Sequence, residues 1–170
     1  TGEGGIVTTN NVKFAKNIKL FRNHGILRNK KKHWQYDIKK FGYNYRLSDI
    51  NCALGISQIR KIKTFVKKRE KIYKIYLNEL KKFNSNLVIP EYSKDIKPSY
   101  HLFVVNISFS KLKRNKSHFM NYMLKHKIIT QYHYIPIYKF SIFNQSTNFY
   151  NGSDKYYKNA ISIPIFVNLD

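Results

Sequence analysis

The chain has 170 residues, 42% of them hydrophobic, with 32 Lys plus Arg against 9 Asp plus Glu and a formal net charge of +23. The hydrophobic share excludes a disordered chain and suffices for one domain or pieces of two. The single cysteine, Cys52, excludes an internal disulfide, and no apolar run approaches the roughly 18 residues of a membrane span.

Taken in chain order, residues 4–9, GGIVTT, are β-branched and led by glycines, which predicts a strand. Asn10 and Asn11 read as a turn or helix cap. A helix over 12–23 places Val12, Ala15, Ile18 and Leu20 or Phe21 on one side, and Gly25 is its stop. Residues 26–42 read as an irregular basic loop with Trp34 and Tyr36 as anchors; a loop of that length implies a site or an interface. Ser48 is an N-cap with Asp49 in the first turn. From there a long helix is predicted to about Phe83, with an apolar face from Ile50 through Leu54, Ile59, Ile62, Val66, Tyr73 and Tyr76 to Leu80; Gly55 and Thr64 are its weak points. Asn84-Ser85-Asn86 reads as a turn, and Pro90 and Pro98 bracket a connection. Strands are then expected over 100–108 and 128–134, around a helix over 115–126. The last stretch is dense in Tyr and Phe and ends in AISIPIFVNLD. Strand, helix and strand together predict a small α/β unit, with a domain boundary inside or just after the long helix.

The charge excess has a sharp and a bland interpretation. The sharp one is a nucleic-acid or anionic membrane partner. The bland one is a lysine-rich solvated surface, and it is favoured because the lysines are scattered, in clusters no longer than Lys30-Lys31-Lys32 and Lys67-Lys68. Such a distribution predicts weak, salt-sensitive binding and no dedicated nucleic-acid or membrane site. The chain opens Thr-Gly-Glu-Gly-Gly, not with a signal-peptide pattern, and reads like the middle of a protein. With one cysteine, this suits a cytoplasmic setting.

The stretch Tyr43-Asn44-Tyr45-Arg46 stands just before a helix N-terminus. Free N–H groups there, an Asn amide and an Arg guanidinium make a donor set suited to a phosphate. The competing interpretation is a structural turn whose tyrosines pack and whose Arg46 pairs with Asp49. The six histidines, His24, His33, His101, His118, His126 and His133, lack paired metal-ligand spacing. TGEGG lacks the Lys-Ser/Thr of a phosphate loop, and no G-x-S-x-G nucleophile motif occurs. His133 and Tyr134, with Pro136 and Tyr138, either line a pocket or pack a core. These residues taken alone do not name a reaction.

The blocks TGEGGIVTTN, LFRNHGI, GYNYRLSDINCALGISQIRKI, ITQYHYIPIY and AISIPIFVNL, in this order and spacing, resemble the DegT/DnrJ/EryC1/StrS family. These are pyridoxal-phosphate-dependent nucleotide-sugar aminotransferases of fold type I, and the resemblance covers essentially the whole chain. The GYNYRLSDI block is its most specific part. HYIPIY, with Tyr138 where many relatives carry His, looks most like the pseudaminic-acid branch, which aminates C4 of a UDP-linked 4-keto-6-deoxy-N-acetyl sugar.

The resemblance implies an α/β fold that is the C-terminal part of a fold type I transferase. Residues 1–60 would end the cofactor-binding large domain and hold an interface loop; residues 61–170 would be the long helix and a small C-terminal α/β domain, truncated at its end. It implies pyridoxal 5'-phosphate as cofactor, and a nucleotide sugar and an amino-acid donor, glutamate, as substrates. It implies a homodimer with shared active sites, in which Asn44 reaches the cofactor phosphate of the neighbouring subunit and Arg46 lies near it. His133, Tyr134 and Tyr138 would face the nucleotide sugar. The family's Schiff-base Lys falls a few residues before Thr1, so no catalytic residue is assigned within the chain and the chain alone is expected to be inactive. A His at that upstream position would mark the dehydratase branch instead. Outside enzymology, the chain would be a non-catalytic remnant or a basic nucleic-acid-binding module.

Overall fold

The structure, a computed structural model, describes residues 1–32, 34–83, 85–143 and 150–169. His33 and Asn84, both singled out in the sequence, lie outside the described residues. Two compact units divide the chain, Thr1–Lys61 and Ile62–Asp170.

In the first unit, helix α1 spans Val12–Arg22. Asn11 caps it by accepting from the Phe14 N–H at 2.9 Å. The helix stops as predicted: His24 and Gly25 both adopt positive φ, 56° and 70°, and the Gly25 N–H returns to the Leu20 carbonyl at 2.7 Å. The expected loop over 26–42 instead contains an antiparallel hairpin, β1 Ile26–Arg28 with β2 Tyr36–Ile38. Trp34 and Tyr36 are 65% and 60% exposed, because a two-stranded hairpin offers little to bury against, and Arg28 lies over the Tyr36 ring.

Residues 4–9 form no strand. Ile6 and Val7 are 90% and 63% exposed, and β-branched residues make a strand only where a neighbouring chain completes the ladder. Helix α2, Asp49–Ile59, starts at Ser48, whose Oγ accepts from the Asn51 N–H at 3.3 Å.

The predicted long helix is interrupted at Arg60-Lys61, at neither Gly55 nor Thr64. The Lys61 N–H bonds the Gln58 carbonyl in a tightened last turn, a helix end that no breaker residue announces. Among the described residues no hydrophobic side chain of the first unit is fully buried.

The second unit contains the core. Helix α3, Ile62–Leu80, buries a stripe at helical spacing in which Tyr73, Tyr76, Leu77 and Leu80 meet the sheet. A short 3-10 turn, Lys81–Phe83, follows. The antiparallel sheet has the order β3 (Leu87–Val88), β4 (Phe103–Ile107), β5 (Ala160–Ile163). Alternation along β4 turns Phe103, Val105 and Ile107 inward. Phe103 and Ile161 are completely buried, each stabilising the fold by about 1.5–3 kcal/mol.

Helix α4, Lys116–Lys125, is capped by Asn115 and packs Phe119 and Met120 on the core. The strand expected over 128–134 is reduced to a single bridge, Gln131 with Ser162, on the side of β5 away from β4. A 3-10 turn, Ile137–Lys139, leads toward α5, Asn151–Asn159. At the start of α4, the Lys116 amine donates to the Tyr157 carbonyl at 2.6 Å and lies over the Tyr132 and Tyr157 rings. Burial lowers its pKa. No helix is long and apolar enough to cross a membrane among the described residues.

Candidate functional site

The Tyr43–Arg46 stretch is fastened along the C-terminal end of α1. The Tyr43 N–H donates to the Phe21 carbonyl (2.8 Å), the His24 N–H to the Tyr43 carbonyl (3.0 Å), and the Tyr45 N–H to the Arg22 carbonyl (2.9 Å). Asn44 itself is bridged to Asn23. Extended backbone sends alternate side chains to opposite faces. Tyr43 and Tyr45 accordingly stack on one another, with ring centroids 5.2 Å apart, and both set their edges against Phe21 at 5.3 and 5.8 Å.

That leaves Asn44 exposed, with its main chain held and its amide without a hydrogen-bond partner among the described residues. The Arg46 guanidinium donates to the Asn23 side-chain oxygen. No ion pair joins it to Asp49 among the described residues, so the structural-turn interpretation is right about the tyrosines and wrong about the arginine's partner. A donor on a fixed backbone, left unused among the described residues, fits a phosphate oxygen supplied from outside.

Two glycines allow this arrangement. A Cβ on Gly25 would stand 1.6 Å from the Lys40 carbonyl oxygen, and one on Gly42 2.5 Å from the Gly25 nitrogen. Beside the stretch, a groove of about 1070 Å³ runs between residues 3–9 and α1, with Tyr45, Arg46 and Leu47 in its wall.

His133, Tyr134 and Tyr138 lie in the second unit. His133 is half-buried, with Nδ1 2.8 Å from the Ser162 hydroxyl, and its ring lies edge-on to Tyr134 at 4.8 Å. Tyr134 is 75% exposed, free to meet a ligand. Tyr138 is packed differently, against Tyr150 at 4.7 Å. Its hydroxyl is buried without a hydrogen bond of ordinary geometry. Burial first, and the nearby Asp154 carboxylate second, raise its pKa. Asp154 is committed to Lys139 at 2.8 Å; that bond lowers the pKa of the acid and raises that of the amine. His133 and Tyr134 are therefore brought together, while Tyr138 belongs to a neighbouring tyrosine–ion-pair cluster.

Sequence inspection missed Asn23, Ser162 and Asp154, the partners that hold these residues in place. Ser162 alone left a signal: a polar residue inside the apolar strand AISI, which when buried needs a hydrogen-bond partner. Among the described residues no group of three or more His, Cys, Asp or Glu is placed to hold a metal ion.

The profile of the DegT/DnrJ/EryC1/StrS aminotransferase family matches residues 1–170. The UDP-4-amino-4,6-dideoxy-N-acetyl-beta-L-altrosamine transaminase of Campylobacter jejuni subsp. jejuni is 38% identical over 168 residues, covering 96% of this chain and 43% of the relative. The solved Helicobacter pylori PseC, an aminotransferase involved in the biosynthesis of pseudoaminic acid, superposes with a TM-score of 0.82 at 30% identity, over 95% of this chain and 43% of its own. Spr1654 of Streptococcus pneumoniae, solved in PLP and PMP forms, matches with TM-scores of 0.77 and 0.79 at 18% identity; it covers 93% of this chain and 40% and 41% of its own, and shows likeness of fold alone. The chain spans less than half the length of the curated relatives it matches. Its α/β fold is that of a part of these aminotransferases.

Proposed function

We propose, since the chain belongs to the DegT/DnrJ/EryC1/StrS aminotransferase family, that it is the C-terminal part of a nucleotide-sugar aminotransferase dependent on pyridoxal 5'-phosphate. Residues 1–60 close the cofactor-binding domain and residues 61–170 form the small domain. The enzyme moves an amino group from an amino acid, glutamate, to C4 of a UDP-linked 4-keto-6-deoxy-N-acetyl sugar. The donor leaves as its 2-oxo acid. The observation that carries this reading is the Asn44 amide, exposed and without a hydrogen-bond partner among the described residues, between Tyr43 and Tyr45 whose main chains are bonded to the end of α1.

Asn44 donates from its side-chain amide to a phosphate oxygen of the cofactor bound by the partner subunit of a homodimer. Arg46, turned by Asn23, adds positive charge nearby. When bound, the cofactor supplies the electron sink that carbanion chemistry next to the transferred nitrogen requires. His133 and Tyr134 contact the nucleotide sugar and orient its ketone, and Tyr138 shapes the wall behind them. The Schiff-base Lys, which moves the proton in such enzymes, is not assigned to any of the 170 residues, so the chain made alone is inactive. A biosynthetic enzyme of nucleotide sugars works in the cytoplasm, where its substrates are made.

The test is the gene product that carries this chain, incubated with pyridoxal phosphate, glutamate and the UDP-4-keto sugar. Mass spectrometry is expected to show the 4-amino sugar. An unchanged or dehydrated sugar would overturn the reading, the latter in favour of the dehydratase branch.

A further inference from the structure

Ser162 is placed more rigidly than a serine needs to be for packing. It sits in β5, 7% exposed, opposite Val104 of β4. On its other side its N–H and carbonyl are both bonded to Gln131, at 2.6 and 3.0 Å. The paired main-chain bonds to Gln131 therefore fix where its hydroxyl stands relative to residue 133, two positions further along the bridged segment. That hydroxyl is 2.8 Å from His133 Nδ1, and Ser162 makes no other side-chain hydrogen bond among the described residues.

The proton count decides the direction of this bond. A serine hydroxyl carries one proton, and a neutral imidazole carries one on either nitrogen. If Nδ1–H donated to Ser162, the serine proton would be buried with no acceptor, and buried polar groups do not go unpaired without cost. If the serine donates to Nδ1, the buried serine proton is paired and the imidazole proton stands on Nε2. We propose that Ser162 is a positioning residue that locks His133 in the Nε2–H tautomer and so presents an N–H donor to an acceptor oxygen of the bound sugar. The choice of tautomer by the partner of the other nitrogen is a general property of histidine sites. The sugar as recipient rests on the aminotransferase reading; the tautomer does not.

The experiment uses the gene product carrying this chain, labelled with 15N-histidine. Long-range 1H–15N spectra recorded at alkaline pH read the tautomer of His133 directly, with assignment by His133→Gln. The wild type is expected to show Nε2–H. Ser162→Ala is expected to release the ring to a mixed or Nδ1–H state, and Ser162→Thr to restore it. Ser162→Ala is further expected to raise the KM for the nucleotide sugar about 10-fold, with kcat within about twofold and the cofactor content unchanged. An Nδ1–H wild type, a tautomer that Ser162→Ala leaves as it was, or an unchanged KM would each overturn the proposal. If the wild-type protein aminates no sugar, the aminotransferase reading fails by itself, and the spectra still decide the Ser162–His133 bond.

Discussion

Asn44→Ala removes a donor without disturbing a bond among the described residues, because the stretch is held by the main chains of Tyr43 and Tyr45 and by the side chains of its other residues. A hydrogen bond to a charged phosphate contributes about 1.5–3 kcal/mol, so the variant is expected to bind pyridoxal phosphate about 10- to 100-fold more weakly in an absorbance titration, with an unchanged thermal transition. Equal cofactor affinity would remove Asn44 from the site. The Lys139–Asp154 pair makes a second residue-scale prediction, with a sign that can be worked out. The Lys139 hydrogen bond holds Asp154 below the ordinary carboxylate value of 3.8, so its contribution is present above that pH and is lost as pH falls through the lower folded value. Lys139 is raised above 10.5 by the same bond, so its contribution is present below 10.5 and is lost as pH rises through the higher folded value. Asp154→Asn is expected to lower stability between these limits and to leave the acid end nearly unchanged. Equal loss at every pH in denaturant titrations would show that the ion pair is not the cause.

At the scale of elements, the α1 end, the hairpin and the Tyr43–Arg46 stretch stand or fall together. Gly25→Ala places a methyl 1.6 Å from the Lys40 carbonyl oxygen and forces an alanine into positive φ. It is expected to lose the hairpin's amide protection in hydrogen exchange and, with it, the placement of Asn44. Full protection in the variant would contradict that dependence. Two caps and the helices they start were legible because they are local: Asn11 and Ser48 each cap the helix that follows. The hairpin was not, since 26–42 carries no two-residue turn signal and its strands are only three residues long. Segments 4–9 and 128–134 have strand composition, but composition does not supply a ladder partner. For the candidate site, Asn44 was legible through its motif, whereas Asn23 and Ser162 act through contacts 23 and 29 residues away in sequence.

At the scale of the whole molecule, the two units differ in what they bury. The second is built around Phe103, Val105, Ile107 and Ile161; the first leaves Phe41 98% and Ile50 81% exposed and has no fully buried hydrophobic side chain among its described residues. Exposed apolar surface of that kind marks an interaction face. The 170-residue chain made alone is therefore expected to aggregate and to lack transaminase activity; a monomer that stays in solution and unfolds cooperatively would contradict the first expectation, and measurable amination the second. The central claim, that Asn44 serves a cofactor held by the other subunit, is tested most directly by subunit mixing. Two forms of the gene product, one with the Schiff-base Lys replaced and one carrying Asn44→Ala, are unfolded and refolded together and assayed at a pyridoxal phosphate concentration too low to load the Asn44→Ala form. A mixed dimer has one fully intact site only if Asn44 acts across the interface. Sugar amination is expected to return in the mixture; a mixture no more active than its separate components would show that Asn44 does not serve the other subunit's site.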